Sequence, residues 1–185
     1  MIPQAHKKAL PAAPPPDELA LVEALRAGDL AALAAAFDRW NRRVRVLARR
    51  LLSDPAAAED VVQDVFTALP RAVRRFRGEA DLETFLLGIA VKGVRRHRRA
   101  ALRRRQALER LRAAEPRGPA DPEQDAYRRE LGARLAAALD ELPLPQRVAF
   151  VLCEVEELTA GQAAAIAGVP EATVRTRLFH ARRRL

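Results

Sequence analysis

The sequence predicts an all-α protein of two small helical domains, and three observations carry that reading. Hydrophobic residues make up 49% of the chain but aromatics only 4%, and alanine, leucine and valine dominate, a palette suited to close helix packing rather than to sheets. Apolar residues recur every three or four positions along most of the chain. One stretch, "AAEPRGPADPEQDA" at 113–126, is rich in proline and acid and cannot bury a core, so it divides the chain. A length of 185 residues accommodates two compact units and no large barrel.

Residues 1–16, "MIPQAHKKALPAAPPP", hold five prolines and no helical period, which predicts a tail of polyproline character outside the fold. Asp17 stands as the N-cap of a short helix carrying Leu19, Leu21, Val22 and Leu25, and Gly28 is placed to end it. Asp29 caps a second helix whose apolar stripe runs Leu30, Leu33, Ala34, Phe37, Trp40, Val44, Leu47, Ala48 and Leu51, with arginines opposite. Trp40 is expected to pack between helices. "SDP" at 53–55 opens a third helix with Val61, Val62, Val65, Phe66 and Leu69 on one face. Pro70 falls inside that pattern and is expected to kink or break it before Val73 and Phe76, because proline lacks an N–H and crowds the preceding turn. Residues 77–81 read as a loop. Leu82, Phe85, Leu86, Ile89, Ala90 and Val94 then begin a fourth helix that turns strongly basic from Arg95 to Arg112.

Beyond the linker, Leu131, Leu135, Ala138, Leu139 and Leu142 mark a helix stopped by Pro143, and the next helix sets Val148, Val151, Leu152 and Val155 on one face. The expected organisation is a tail over 1–16, a first domain over 17–112, a flexible linker over 113–126 and a second domain over 127–185.

Lysine and arginine number 33 against 24 acids, a formal charge of +9, which favours a polyanionic partner, nucleic acid first among them. Arginine dominates the cations, and its planar fork suits phosphates and guanine edges. The single cysteine, Cys153, can form no internal disulfide and, with so few histidines, no zinc site, which points to a reducing, cytoplasmic compartment. On its apolar face it reads as a buried inert thiol. His97 and His180 stand on basic faces without a second ligand nearby in sequence, so phosphate contact or solvation suits them better than metal. Neither a metal nor another cofactor is expected. No apolar run approaches the ~20 residues a bilayer span requires, and no nucleophile–base set or glycine-rich phosphate loop appears, so neither membrane insertion nor catalysis is expected.

The C-terminal segment "LTAGQAAAIAGVPEATVRTRLFHARRRL" matches a helix-turn-helix plan: a helix from Thr159 to Ala167, a turn at Gly168 and a second helix opening at Pro170. Ala164 and Ala165 permit close helix approach, Gly168 supplies the turn, and Ile166, Val169, Val174 and Leu178 can fill the wedge. The second helix directs Glu171, Ala172, Thr173, Arg175, Thr176 and Arg177 toward a partner from its N-terminal half, while Arg182, Arg183 and Arg184 can grip phosphate. A basic four-helix domain that binds nothing accounts for the segment less well, because the small-residue and glycine spacing coincides with one-sided arginines.

"AEDVVQDVFTAL" (58–69), followed by "FRGEADLETFLLGIA" (76–90) and the basic run, resembles the second region of bacterial sigma factors of the extracytoplasmic-function group. "LPLPQRVAFVLCEVEELTAGQAAAIAGVPEATVRTRLFHARRRL" (142–185) resembles their fourth region. The two resemblances cover nearly the whole chain after the tail, in the family's order. They imply a dissociable subunit of RNA polymerase that binds the core enzyme and directs it to promoter DNA, with an anti-sigma factor as a regulatory partner.

Carried over by motif, Asp60, Gln63, Asp64 and Phe66 match the polymerase-docking positions; Asp60 and Asp64 share one helix face at i, i+4 and would otherwise be a solvated acidic face. The resemblance assigns the −10 element to Phe76, Arg77, Glu79, Lys92, Arg95, Arg96 and Arg99, with a flipped base held near the 77–81 loop by aromatic contact and hydrogen bonds. Phe76 and Phe85 can instead be core residues, Phe85 the more so. The −35 element falls to Glu171, Ala172, Thr173, Arg175, Thr176, Arg177, His180 and Arg182. The chain departs from the family's "TWLxxIAxN" with "TFLLGIAVK", placing Phe85 for tryptophan and Lys92 for asparagine. Two other readings stay open at this point: a stand-alone helix-turn-helix regulator, and a sigma-like adaptor that binds only protein.

Overall fold

The computed structural model describes residues 16–111 and 137–185, with side chains over 17–104 and 137–185. The tail residues 1–15, the 113–126 linker, Leu131, Leu135 and the side chains of the basic run beyond Arg104 lie outside the described residues. Among those described there are helices and no strand.

The first unit holds α1 (Pro16–Ala27), α2 (Leu30–Leu51), α3 (Pro55–Ala72) and α4 (Leu82–Leu111). Helix α1 starts at Pro16, one residue before the expected cap, so Asp17 and Glu18 fall in its first turn, where their charge suits the helix dipole. Gly28, at φ +82, turns the chain in the left-handed region and lets the Asp29 N–H reach the Ala24 carbonyl at 3.0 Å. Asp29 then caps α2 by accepting from the Ala31 N–H at 2.8 Å, and Asp54 caps α3 in the same way through Ala56 at 2.9 Å, with Pro55 in the first turn.

Pro70 is followed by the local break expected before Val73. The α-helix ends at Ala72, two residues on, and gives way to a 3-10 turn over Val73–Arg75. A proline this close to the C-terminus removes a single ladder donor, and the burial of Leu69 and Val73 holds the remaining turn in place. The start of α4 is fastened from afar: Asp81 accepts from the Thr84 N–H at 2.7 Å, and Glu18 of α1, only 4% exposed, accepts from the Leu82 N–H at 3.0 Å. Leu25, Trp40, Val44, Leu47, Leu51, Val61, Val65, Leu69, Leu86 and Val94 are buried together in the core. Trp40 lies in that core with the Arg39 guanidinium 4.7 Å above its ring.

The second unit enters the described region as a helical segment over 137–141, followed by α5 (Leu144–Phe150), α6 (Ala160–Ala167) and α7 (Glu171–Arg182). The sequence expects α5 to run straight on through Val155. Instead Val151–Val155 widen into a π turn, closed by the Glu156 N–H on the Val151 carbonyl at 2.9 Å. The wider turn buries three consecutive residues, Val151, Leu152 and Cys153, where an ideal α-helix would rotate one of them outward. Cys153 is buried, as its apolar surroundings suggest.

The chain leaves the π turn through Glu157, whose φ of +56 is the sole left-handed backbone angle of a non-glycine among the described residues. A side chain there costs roughly 1–2 kcal/mol, and glycine would return part of that as lost chain entropy. Glu157→Gly is therefore expected to raise stability by up to about 1 kcal/mol. A lower urea midpoint for the variant would contradict it.

The two units are not simply tethered. Arg147 of α5 donates to the Leu51 carbonyl at 3.2 Å, and Arg95 of α4 donates to the Ala167 carbonyl at 2.9 Å.

Candidate nucleic-acid interface

The second unit presents a helix-turn-helix. Thr159 caps α6 in a reciprocal box: its hydroxyl accepts from the Gln162 N–H at 3.2 Å, and the Gln162 side-chain oxygen accepts from the Thr159 N–H at 2.9 Å. Gly168, at φ +64, ends the helix with its N–H on the Ala164 carbonyl at 2.8 Å. Pro170 holds extended backbone, φ −58 and ψ 148, and α7 begins directly after it.

Register decides which small residues face the partner helices. Ala163 and Ala164 are buried, whereas Ala165 is exposed, so the close-approach pair is displaced by one residue from the expected Ala164 and Ala165. Ile166, Val174 and Leu178 fill the wedge, and Val169 packs half-buried against it.

Along α7, Val174, Leu178 and Ala181 point inward. Glu171, Ala172, Arg175, Thr176, His180 and Arg182 are exposed, while Thr173 and Arg177 are half-buried. The outward row is partly satisfied within the chain: Arg175 pairs with Glu171, the Thr176 hydroxyl donates to the Ala172 carbonyl at 3.0 Å, and Arg182 reaches Glu154 at 2.6 Å. Phe179, 56% exposed, stands edge-on to His180 at 5.6 Å with Arg183 at 5.7 Å over its ring. Sequence reasoning missed this aromatic; a large apolar residue inside a run of arginines was the available signal.

In the first unit, Asp60 and Gln63 are exposed on the outer face of α3. Asp64, half-exposed, accepts a hydrogen bond from Arg96 and pairs with the His97 Nε2 of α4, the latter at 3.0 Å. Burial raises its pKa, but the His97 and Arg96 hydrogen bonds outweigh that and hold the carboxyl below its usual value. His97 is thus partnered by a carboxylate on a neighbouring helix, which corrects the expectation of solvation or phosphate contact. Phe66 is 6% exposed and meets Phe37, 39% exposed, edge-on at 4.9 Å.

The −10 candidates divide similarly. Phe76 is 6% exposed and sits edge-on to Phe85 at 5.1 Å. Phe85 is the half-buried member of the pair, reversing the expected order of burial. It borders two adjoining cavities. One, of about 230 Å³, is lined by Phe76, Arg77, Glu79, Phe85 and Lys92 among others. The second, of about 620 Å³, runs between α3 and α4 and is bordered by Arg71, Arg75, Lys92 and Arg96, with Phe85 and Ile89 as apolar walls. Arg77, Glu79, Lys92, Arg96 and Arg99 are exposed, and Arg95 is half-buried. Arg71 and Arg75 were not singled out by sequence, because their helix register relative to α4 appears only in the fold. Arg71, Arg75 and Lys92, with Arg96 paired to Asp64 on the same wall, stand beside one aromatic, an arrangement that suits a phosphodiester strand with an unstacked base. No helix among the described residues is long and apolar enough to cross a membrane.

The comparisons with known proteins follow the same division. Residues 36–113 match the family model described as Sigma-70 region 2, and residues 132–185 match Sigma-70, region 4. The RNA polymerase sigma-H factor of Pseudomonas aeruginosa is 29% identical over 88% of this chain and 88% of its own length. The ECF RNA polymerase sigma factor SigE of Mycolicibacterium smegmatis is 34% identical over 82% of this chain and 62% of its own length. The ECF RNA polymerase sigma-E factor of Escherichia coli K12 is 31% identical over 88% of each chain. Among solved structures, the sigma factor RpoE of Bartonella quintana, determined with the anti-sigma factor NepR, has a TM-score of 0.62 at 24% identity, covering 82% of this chain and 92% of that one. That likeness concerns the fold.

Proposed function

The chain belongs to the extracytoplasmic-function group of bacterial RNA polymerase sigma factors, and from that premise we propose how its residues divide the work. The protein directs RNA polymerase to promoters. The observation that supports the division best is the pairing of an outward basic recognition helix in one unit with a basic, aromatic-walled groove in the other.

The outer face of α3, with Asp60 and Gln63, docks on core polymerase, and Phe37 supplies the aromatic contact that Phe66 supports from beneath. The groove bordered by Phe85, Lys92, Arg71, Arg75 and Arg96 takes the opened −10 strand, with Arg77 and Glu79 at its loop and Arg99 further along α4. Helix α7 reads the −35 duplex, Arg175 and Arg177 toward base edges and Arg182 to Arg184 toward phosphates. Sigma factors are DNA-binding initiation factors rather than enzymes; in this reading the chain works in the cytoplasm, needs no cofactor, and leaves all chemistry to the polymerase. Two weak promoter contacts on one scaffold give avidity. An anti-sigma factor is the regulatory partner this family reading supplies.

Two outcomes test the assignment. Asp60→Arg with Gln63→Ala should abolish co-migration with core polymerase in gel filtration while leaving the unfolding curve unchanged; unaltered co-migration would remove α3 from the docking surface. Five to six phosphate contacts should give a log–log salt slope of about −5 for duplex promoter binding. A slope shallower than about −2 would leave too few phosphates engaged for this division.

A further inference from the structure

Helix α3 carries three acids close together, and each is placed differently. Glu59 is held by Arg45 at 2.9 Å and by Arg49 at 3.0 Å, both on α2. Asp60 is exposed. Asp64, one turn further on, reaches the other way, to Arg96 and His97 of α4. The two helices run close together here: a Cβ added to Gly93 would already touch the Val61 Cγ1 at 3.4 Å. Arg96 and His97 lie one turn beyond Gly93, as Asp64 lies one turn beyond Val61. Both contacts of Asp64 fall on its Oδ2, and Oδ1 has no partner among the described residues.

Asp64 is also the sole acid among the residues that line the 620 Å³ groove between α3 and α4. Of the cations there, Arg71, Arg75 and Lys92 have no carboxylate partner among the described residues, whereas Arg96 is paired with Asp64. A phosphate in the groove and Asp64 therefore compete for one guanidinium. Released from the carboxylate, Arg96 adds a phosphate contact that displaces a counterion.

The same carboxylate stands at the edge of the other surface. Asp60 and Asp64 share one side of α3 at i, i+4, and on a chain of net charge +9 an acidic strip fits a partner that presents cations. Two ligands thus draw on the two ends of one exposed ion pair, a phosphate on Arg96 and a cation on Asp64. Whichever binds first breaks the pair, and the second then binds without that cost. Such coupling is positive, and reciprocal by thermodynamic necessity.

We propose that Asp64 is a positioning residue that couples the two surfaces of the first unit: in the free chain it holds Arg96 off the strand, and a cation of the docking partner that takes Asp64 releases Arg96 to a phosphate. Docking and strand binding then strengthen each other through a single ion pair. The identity of the docking partner rests on the sigma-factor reading, but the competition for Arg96 is measurable without polymerase.

Strand binding is read with the full chain and a short fluorescein-labelled oligothymidylate. Asp64→Asn is expected to bind it about two- to fivefold more tightly, the range set by one exposed ion pair. Its log–log salt slope should steepen by about 0.7, the increment for one more phosphate on a single strand. Asp60→Asn removes the same charge from the same face and should leave the slope alone. With Arg96→Gln in place, Asp64→Asn should bring neither the gain nor the steeper slope. Docking is read as the Kd for core RNA polymerase without DNA. Arg96→Gln should dock about two- to fivefold more tightly than the parent, and no more tightly once Asp64 is already asparagine. An unchanged slope in Asp64→Asn, a gain that persists beside Arg96→Gln, or docking that ignores Arg96→Gln overturns the coupling. A chain whose strand binding responds as expected but which does not bind core polymerase keeps the competition for Arg96 and overturns the sigma-factor reading instead.

Discussion

Replacing Phe76 by alanine is expected to destabilise the first unit by about 3–5 kcal/mol, the range for removing a buried aromatic ring from a packed core. The ring is 6% exposed and loses its edge contact with Phe85 at 5.1 Å as well as its burial, a pair interaction worth ~0.5–1.5 kcal/mol on its own. The backbone feels the change too, because the Phe76 carbonyl accepts from the Arg26 guanidinium at 2.6 Å and so anchors α1 to the end of the 3-10 turn. Phe85→Ala should behave in the opposite sense, with a smaller loss of stability and a larger loss of −10 strand affinity, since stacking a base on an aromatic contributes ~1–3 kcal/mol. Urea unfolding beside oligonucleotide binding separates the two. A Phe76→Ala chain as stable as the parent yet unable to bind the strand would return Phe76 to the role its sequence position suggests.

The second large effect belongs to α7. Arg175→Ala with Arg177→Ala is expected to weaken −35 discrimination by ~1–3 kcal/mol for each arginine that reads a base, roughly 5- to 150-fold apiece. Neither side chain contributes to the unit's buried core, which is built from Val174, Leu178 and Ala181 on the same helix. The unfolding midpoint should therefore stay put. Arg175 is held by Glu171 in the free protein, so a Glu171→Ala change frees it and is expected to broaden the choice of sequence rather than abolish binding. Competition between promoter and mismatched duplexes at fixed salt measures both. Unchanged promoter preference in the double variant would mean that α7 is not the reading helix.

Local signals carried much of the fold. Asp29, Asp54 and the Thr159–Gln162 box each cap a helix through atoms two or three residues away, and Gly28 and Gly168 turn the chain where a left-handed angle is needed. Such features depend only on neighbours, so the order of residues reveals them. The π turn at Val151–Val155 does not: its extra width is stabilised by burying Val151, Leu152 and Cys153 against other helices. Pro70 was a local signal as well, since α3 ends at Ala72 and changes to a 3-10 turn at Val73.

The site was legible as a set of charges and illegible as a set of exposures. Asp60, Gln63 and Arg175 stand on the surface as their helix positions implied, and so does Lys92, which only the resemblance singled out. Phe66 and Phe76 turned inward, and Asp64 turned toward His97, because the rotation of α3 against α4 is a property of packing. The closure of the two units was not legible at all. Glu156 and Arg147 carry no local signal of their own, and only the fold buries them against α2.

Run-off transcription with purified core RNA polymerase, on a template carrying a promoter mapped from transcript start sites after induced expression, tests the central claim most directly. Core enzyme plus this chain should start at that promoter and core enzyme alone should not, with the start lost when Arg175 and Arg177 are both alanine. Equal transcript with and without the chain, or a start that ignores the promoter sequence, would show that it does not direct the polymerase.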